Sequence, residues 1–270
     1  MKFESIRRKI KKPPAVQNLV RLIDVEDEVK TTSNVANFAL SIPSFNYVSG
    51  MKMCVDRVRL GLDLTTALAA VEKSGAPAGR QHNAAFVKAF FEYDDARFYS
   101  SLRCIDSYHG QYLVSRDINV PTAPTFTVIE NGKQVPVVLC GWKDLKLGDS
   151  QLKMWMTMLE SGLFSYGDYR HSPAEVLIFP EQQIGEEIAR KPYLVKRGDI
   201  ECYSDQEMRD IVAMYARAQE AAMPIAEARW IEREERRRQK QKDETGSQSI
   251  GDSLDIGQAD LFADDDRNGD

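Results

Sequence analysis

Through the first 110 residues the apolar positions recur three and four apart, and beyond about Tyr112 they give way to short β-branched runs. The stretch "DLTTALAAVEKSG" reads as a helix, with Asp63 or a neighbouring threonine at its N-cap and Gly75 as its stop. In "NAAFVKAFFEYDDARFYSSL", the residues Ala85, Phe86, Ala89, Phe90 and Tyr93 fall at helical spacing, which predicts a second helix with a core-facing stripe. In "TFTVIENGKQVPVVLCGW" two β-branched runs flank Asn131-Gly132, a pair that takes positive φ readily and so predicts a tight hairpin. A helix follows in "DSQLKMWMTMLESGLF", with Asp149 or Ser150 as cap, and "AEVLIFP" predicts a short, fully buried strand ended by Pro180. After the loop around "KRGDIECYS", Ser204 or Asp205 can cap a long amphipathic helix reaching about Lys240, with a kink expected at Pro224. The remainder, "DETGSQSIGDSLDIGQADLFADDDRNGD", is poor in core-forming side chains and rich in Gly, Ser and Asp, the composition of a disordered tail.

These elements predict the α+β class: a mainly helical region over 1–110, a hairpin-helix-strand core with a small mixed sheet over 111–204, a long helix over 205–242 and a disordered tail over 243–270. With 270 residues, 43% of them hydrophobic, the chain is long enough for one sizeable core, or for a core and a small helical subdomain. No run approaches the roughly 18 apolar residues of a membrane span. The start, "MKFESIRRKIKKPP", is charged with no apolar segment behind it, so the expectation is a cytoplasmic protein without a membrane partner. Cys54, Cys104, Cys140 and Cys202 are scattered without a CxxC pair, as are His82, His109 and His171, which argues for reduced thiols and against a disulfide framework or structural zinc.

Charge divides the chain unevenly. The last 30 residues hold nine acids and two bases, a balance of −7 against −5 for the whole chain, so the remaining 240 residues sum to +2. Within that body Arg7, Arg8 and Lys9 make the N-terminus basic, and Arg233, Arg236, Arg237 and Arg238 crowd the end of the long helix. Both runs are candidate contacts for a phosphate backbone, and both are also what an ordinary solvated helix face carries. The acids Glu92, Asp94, Asp95 and Asp106 form a neighbourhood able to attract a cation, although helical spacing would scatter them around the axis. No GxxxxGK[ST], GxGxxG, HExxH or GxSxG stretch occurs, and Cys104 with His109 carries no sign of an activated thiolate.

The order helix, hairpin, helix, strand over residues 82–180 resembles the core of the PD-(D/E)XK nuclease-like fold. The resemblance implies a hairpin that presents carboxylates and a lysine to a magnesium ion, the carboxylates holding the hard cation and the lysine acting on the attacking water. Pro124-Thr125 stands where that family has Pro-Asp, and Gly141-Trp142-Lys143 where it has acid-x-lysine. Lys143 survives, Glu92 is the candidate acid of the opening helix, and Gln151 the candidate polar residue of the following one. With both sheet carboxylates absent, two readings stand: a non-catalytic nuclease-like scaffold that needs no cofactor, and an α+β domain with no nuclease kinship, in which Lys143 is a surface lysine and Glu92 a solvated helix acid. Magnesium enters only if an acid such as Asp117, Glu130 or Asp144 moves into the site.

In the tail, Gln258, Ala259, Asp260, Leu261 and Phe262 resemble the pentapeptide with which bacterial polymerases and mismatch-repair proteins dock on the DNA sliding clamp, a pattern of Gln, any residue, Ser or Asp, Leu, Phe. The resemblance implies Gln258 in a small polar pocket and Leu261 with Phe262 as paired apolar anchors, on a tether that raises effective concentration. Two other readings of the pair are a stub folded back on the body and a coat-adaptor motif. The function expected is a DNA replication or repair accessory protein with the clamp, and DNA, as partners. The alternatives are a regulator from a phage or mobile element that occupies the clamp cleft, and an active metal-dependent nuclease.

Overall fold

The computed structural model describes residues 3–115, 118–145, 147–184 and 187–251. Helices fill the first part of the chain: α1 (Phe3–Lys11), α2 (Val16–Leu19), α3 (Glu28–Leu40), α4 (Val48–Leu60), α5 (Leu64–Lys73) and α6 (Arg80–Arg97). Short polar side chains start two of them. Asp27 accepts from Lys30 N at 2.8 Å ahead of α3, and Asp63 accepts from Thr66 N at 2.9 Å ahead of α5, so the cap expected at Asp63 is the one observed. Helix α5 ends at Ser74, whose backbone is extended and whose N donates to Val71 O, and Gly75 turns the chain just beyond it with φ of +73°.

Strands β1 (Arg103–Ile105), β2 (Gly110–Ser115), β3 (Ile118–Thr122), β4 (Phe126–Glu130) and β5 (Lys133–Cys140) come next. Asn131 and Gly132 both adopt positive φ, 50° and 75°, the tight turn that the Asn-Gly pair predicts between β4 and β5. After α7 (Asp149–Leu159) follow β6 (Glu175–Ile178), β7 (Glu181–Ile184), β8 (Glu187–Arg190), β9 (Tyr193–Lys196) and α8 (Asp205–Gly251). The main sheet has the order β1-β4-β5-β6-β9 and is mixed: β5 and β6 run parallel, joined through α7, and the other neighbours are antiparallel. Pro136 sits inside β5 without breaking it. Its neighbour Val137 faces β4, where its carbonyl accepts from Thr125 N, so Pro136 faces the other side just before β6 begins opposite Val137.

Alternation along the strands gives the sheet two buried faces. Phe126, Val128, Val137 and Leu139 meet Phe86 and Phe90 of α6, with α4 and α5 behind them. Val138, Cys140, Val176 and Ile178 meet Trp155, Met158 and Leu159 of α7, and this second core takes in α1, α2, α3 and α8. The N-terminal helices thus divide between the two faces. The protein is α+β, and no helix among the described residues is long and apolar enough to cross a membrane.

Two caps are worth separating. At α7 the N-cap is Gly148 rather than Asp149 or Ser150: Gln151 Oε1 accepts from Gly148 N at 3.1 Å, and Gly148 O receives Gln151 N and Leu152 N. At α8, Ser204 forms a reciprocal pair with Glu207, Oε2 accepting from Ser204 N at 2.7 Å while Ser204 Oγ accepts from Glu207 N at 3.3 Å. The Ser204→Ala variant should lose about 1 kcal/mol in urea denaturation. An unchanged midpoint would mean that the docking of α8, and not its cap, fixes the start of the helix.

Beyond the cap, Met208, Ile211, Met214, Tyr215, Ala218, Ala222 and Ala226 form the buried stripe of α8. The helix runs through Pro224 and on to Gly251, past the end expected near Lys242. Side chains from Glu235 to Gln241 are exposed, so the helix leaves the body well before it ends.

Candidate functional site

Hairpin register brings the residues just before β4 and just after β5 to one end of the sheet, because Phe126 pairs with Val137 and Glu130 with Lys133 at the opposite end. Thr125 and the Gly141-Trp142-Lys143 triplet therefore share that end, as the nuclease-like arrangement implies. Their chemistry differs from it. The Thr125 hydroxyl accepts from Leu139 N at 2.8 Å and is spent on backbone. A Cβ on Gly141 would lie 3.0 and 3.1 Å from atoms of the Tyr47 ring and 3.3 Å from Phe86, so aromatic carbon holds the space where a carboxylate would start. Trp142 turns to the other face, tilted against Trp155 at 5.4 Å with Arg21 at 4.6 Å over its ring. Lys143 is exposed, and its carbonyl accepts from Glu181 N at 2.7 Å.

A wholly buried arginine occupies this end. Arg190 Nη1 donates to Gly141 O at 2.9 Å and Phe179 O at 2.8 Å, and Nη2 donates to Glu181 Oε1 at 2.6 Å and Tyr47 Oη at 3.0 Å. Tyr47 also lies under the guanidinium, 5.1 Å from its ring centroid. Glu181 Oε1 is shared with His82 Nδ1 at 2.7 Å, and the His82 ring stacks on Phe45 at 4.9 Å. Two main-chain carbonyls, a carboxylate and the Tyr47 hydroxyl engage both terminal nitrogens of this fixed positive charge, while the buried Arg190 Nε has no hydrogen-bond partner among the described residues. Among the described residues, no three His, Cys, Asp or Glu side chains are grouped to hold a metal ion. Of the oxygens at this end, Gly141 O, Phe179 O and Glu181 Oε1 accept from Arg190.

Of the other nuclease-like candidates, Asp144 directly follows Lys143 and lies at this end, and the rest do not join it. Glu92 is exposed on α6, about 15 Å along the helix axis from His82. Gln151 caps α7 and donates to Ile23 O at 3.1 Å, tying α7 to the N-terminal segment. Asp117 lies outside the described residues, and Glu130 sits at the opposite end of the sheet. There Arg97 grips Glu130 through two bonds of 2.7 and 2.8 Å and Glu175 through one of 3.1 Å, and Tyr99 Oη bonds Glu175. The hydrogen bond from Arg97 holds the Glu130 carboxyl below its usual range, while burial, with Glu175 beside it, pushes the Tyr99 phenol up. This is a structural ion-pair group.

The acidic neighbourhood of α6 resolves differently from a solvated face. Asp94 is fully buried, accepts from Arg57 Nε at 2.9 Å and Ser100 N at 3.0 Å, and so fastens α4 to α6 and to the turn beyond. Asp95 takes Arg57 Nη2 at 2.7 Å, leaving Glu92 and Asp106 exposed and apart. Cys140 is buried and its thiol is pushed up to about 12 by desolvation; Cys54 is likewise raised, as burial of a free thiol requires.

Part of the basic surface has a local duty. Lys9 Nζ donates to Ser41 O at 2.9 Å, Arg233 Nη1 to Leu40 O at 3.0 Å and Arg229 Nη1 to Asn37 Oδ1 at 2.7 Å, so three cations gather at the C-terminus of α3, where carbonyls lack helical partners. Arg7 faces Glu4, Arg236 faces Glu232 and Arg237 faces Glu234, while Arg8 and Arg238 are exposed. Gln258, Ala259, Asp260, Leu261 and Phe262, with the tail expected to be disordered around them, lie outside the described residues.

Sequence reasoning missed Arg190, Glu181, His82 and Tyr47. No local spacing could have revealed them, since His82 and Glu181 are 99 residues apart and Tyr47 and Arg190 are 143 apart. No protein-family model matches the chain, and no curated protein and no solved structure matches it.

Proposed function

We propose that this protein is a non-catalytic accessory of DNA replication or repair that docks on the bacterial DNA polymerase sliding clamp through residues 258–262. The observation that carries the reading is the pentapeptide itself, Gln-Ala-Asp-Leu-Phe, set in an acidic segment a few residues from the end of the sequence. Its place supports it. The described part of α8 reaches Gly251, its side chains exposed from Glu235 to Gln241, and the pentapeptide follows it in the sequence. The body agrees with a non-catalytic reading: α6, β4 with β5, α7 and β6 follow one another with β1, β2 and β3 between α6 and β4, and the Arg190 guanidinium bonds Gly141 O, at the triplet where the resemblance implies an acid.

The test uses the full chain and a purified bacterial sliding clamp. Wild type should bind, and Leu261→Ala with Phe262→Ala should weaken binding at least about 100-fold, since two anchor side chains of about 2 kcal/mol each are removed. Equal binding by the two proteins, or none by wild type, would end the clamp reading.

A further inference from the structure

We infer that the end of the sheet at the β4–β5 turn, opposite Arg190, is a binding surface for single-stranded nucleic acid. The inference rests on the reading that the protein works at DNA, and it assigns the contact to a face other than the two arginine runs. A groove of about 650 Å³ opens there between the hairpin turn and the loop over 167–172, with Lys133 and Arg170 on its walls. It continues past Arg197 into a hollow of about 360 Å³ beside Lys196.

The carboxylates that line these hollows are already committed. Glu130 is held by both arms of Arg97, and Glu175 by Arg97 and Tyr99. Arg197 is committed too, to Glu160 and to the carbonyls of Tyr169 and Ser172. Arg97 offsets only one of the two carboxylates and Lys196 acts on Glu130 across the hollow, yet the balance is still positive: the side chains of Lys133, Arg170 and Lys196 are exposed, with no ion pair or side-chain hydrogen bond among the described residues. A phosphate chain supplies the missing partners at regular intervals.

The loop over 167–172 is a ridge with a second hollow, of about 360 Å³, on its far side, and two exposed tyrosines flank that hollow. Tyr108 is 54% and Tyr166 52% accessible, so both rings can be reached from solvent. Tyr108 is braced edge-on against Tyr169, and Asp168 on the ridge is already bonded by Gln134 at 2.7 Å. Cations on one side of a ridge and free aromatic faces on the other match a strand whose bases are unpaired, since stacking needs a base that duplex DNA keeps inside. Duplex DNA would meet only the cations.

Anisotropy of a fluorescein-labelled 20-nucleotide oligothymidylate, titrated with the full chain at low salt, tests this. The triple variant Lys133→Gln, Arg170→Gln, Lys196→Gln should bind at least tenfold more weakly, and its slope of log affinity against log salt should drop by about 2, roughly 0.7 for each single-strand contact removed. Tyr166→Ala should weaken binding at least about fivefold with the slope unchanged. The substituted side chains are exposed, so unchanged thermal midpoints will exclude misfolding. Absence of binding by wild type, an unaffected triple variant, competition by inorganic phosphate at equal charge concentration, or a larger loss from Arg236→Gln, Arg237→Gln, Arg238→Gln would each overturn the assignment. Clamp binding, measured in parallel, separates the two readings: the triple variant should keep it, and the Leu261→Ala, Phe262→Ala protein should keep its hold on the oligonucleotide.

Discussion

Arg190→Met should cost about 3 to 5 kcal/mol in urea denaturation, a large part of the 5 to 15 kcal/mol that folded domains of ordinary stability possess. Methionine keeps much of the stem volume, so the loss comes from the guanidinium. Its removal leaves Gly141 O and Phe179 O buried without donors and takes from Glu181 the closer of its two partners. Each orphaned acceptor carries a desolvation cost of about 1 to 3 kcal/mol. Arg190→Lys keeps the charge but has no planar fork to span two carbonyls, a carboxylate and the Tyr47 hydroxyl, so it should fall between wild type and Arg190→Met. The double variant Arg190→Met, Glu181→Gln should lose less than the two single losses added together, because the second change removes the carboxylate that the first leaves exposed to a dry site. A loss under 1 kcal/mol for Arg190→Met would show that the carbonyls find water, and that the guanidinium is not what closes this end of the sheet.

That arginine marks where sequence reasoning ran out. The hairpin was legible because Asn131-Gly132 encodes its own backbone geometry, and β6 was legible because "AEVLIF" is apolar on both faces, as a strand between two layers has to be. The α5 cap was legible for the same local reason, an aspartate just ahead of a periodic run. What escaped were features set by distant partners. Strand β3, interrupted by Pro121, and the β7–β8 pair, with Gln182 and Gln183, carry weak strand signals and depend on what they pair with. Asp94 follows Phe86 and Phe90 at four-residue steps on the buried face of α6 while Asp95 is turned to solvent, but the Arg57 on α4 that bonds both lies 37 residues away in the chain and no local spacing announces it. The candidate site was half legible: the register of β4 and β5 put Thr125 and Lys143 at one end as the motif spacing implies, while Glu92 sits too far along α6 and Gln151 is occupied with α7. The charge that fills the site arrives from β8, far along the chain, and no spacing rule foretells that.

The second large effect lies at a backbone crossing that the sequence also conceals. Gly110→Ala should destabilise the protein by about 3 kcal/mol or more, since the added methyl would fall inside the contact shell of the Gly162 carbonyl oxygen and 2.9 Å from Thr122 Oγ1. The obstacle is main chain and cannot rotate away. Gly162 lies in the helical turn Glu160–Phe164, and its own Cβ would meet Thr122 and Tyr112 at 3.0 to 3.1 Å, so the two glycines let β2 and β3 lie directly on that turn. Thr122 Oγ1 donates to Gly162 O at 2.9 Å across the crossing, a bond the displaced strand would also lose. Thr122→Ala added to Gly110→Ala should not restore stability, because it clears the side-chain contact and leaves the carbonyl in place; rescue would mean that the hydroxyl, not the backbone, was the obstacle. The consequence extends beyond stability. The same turn carries Glu160, which holds Arg197, and leads into the loop with Arg170, so the distance between β2 and Gly162 sets where the cationic ridge emerges. Gly110→Ala protein that still folds at low temperature should therefore bind the oligothymidylate more weakly than wild type while keeping its affinity for the clamp.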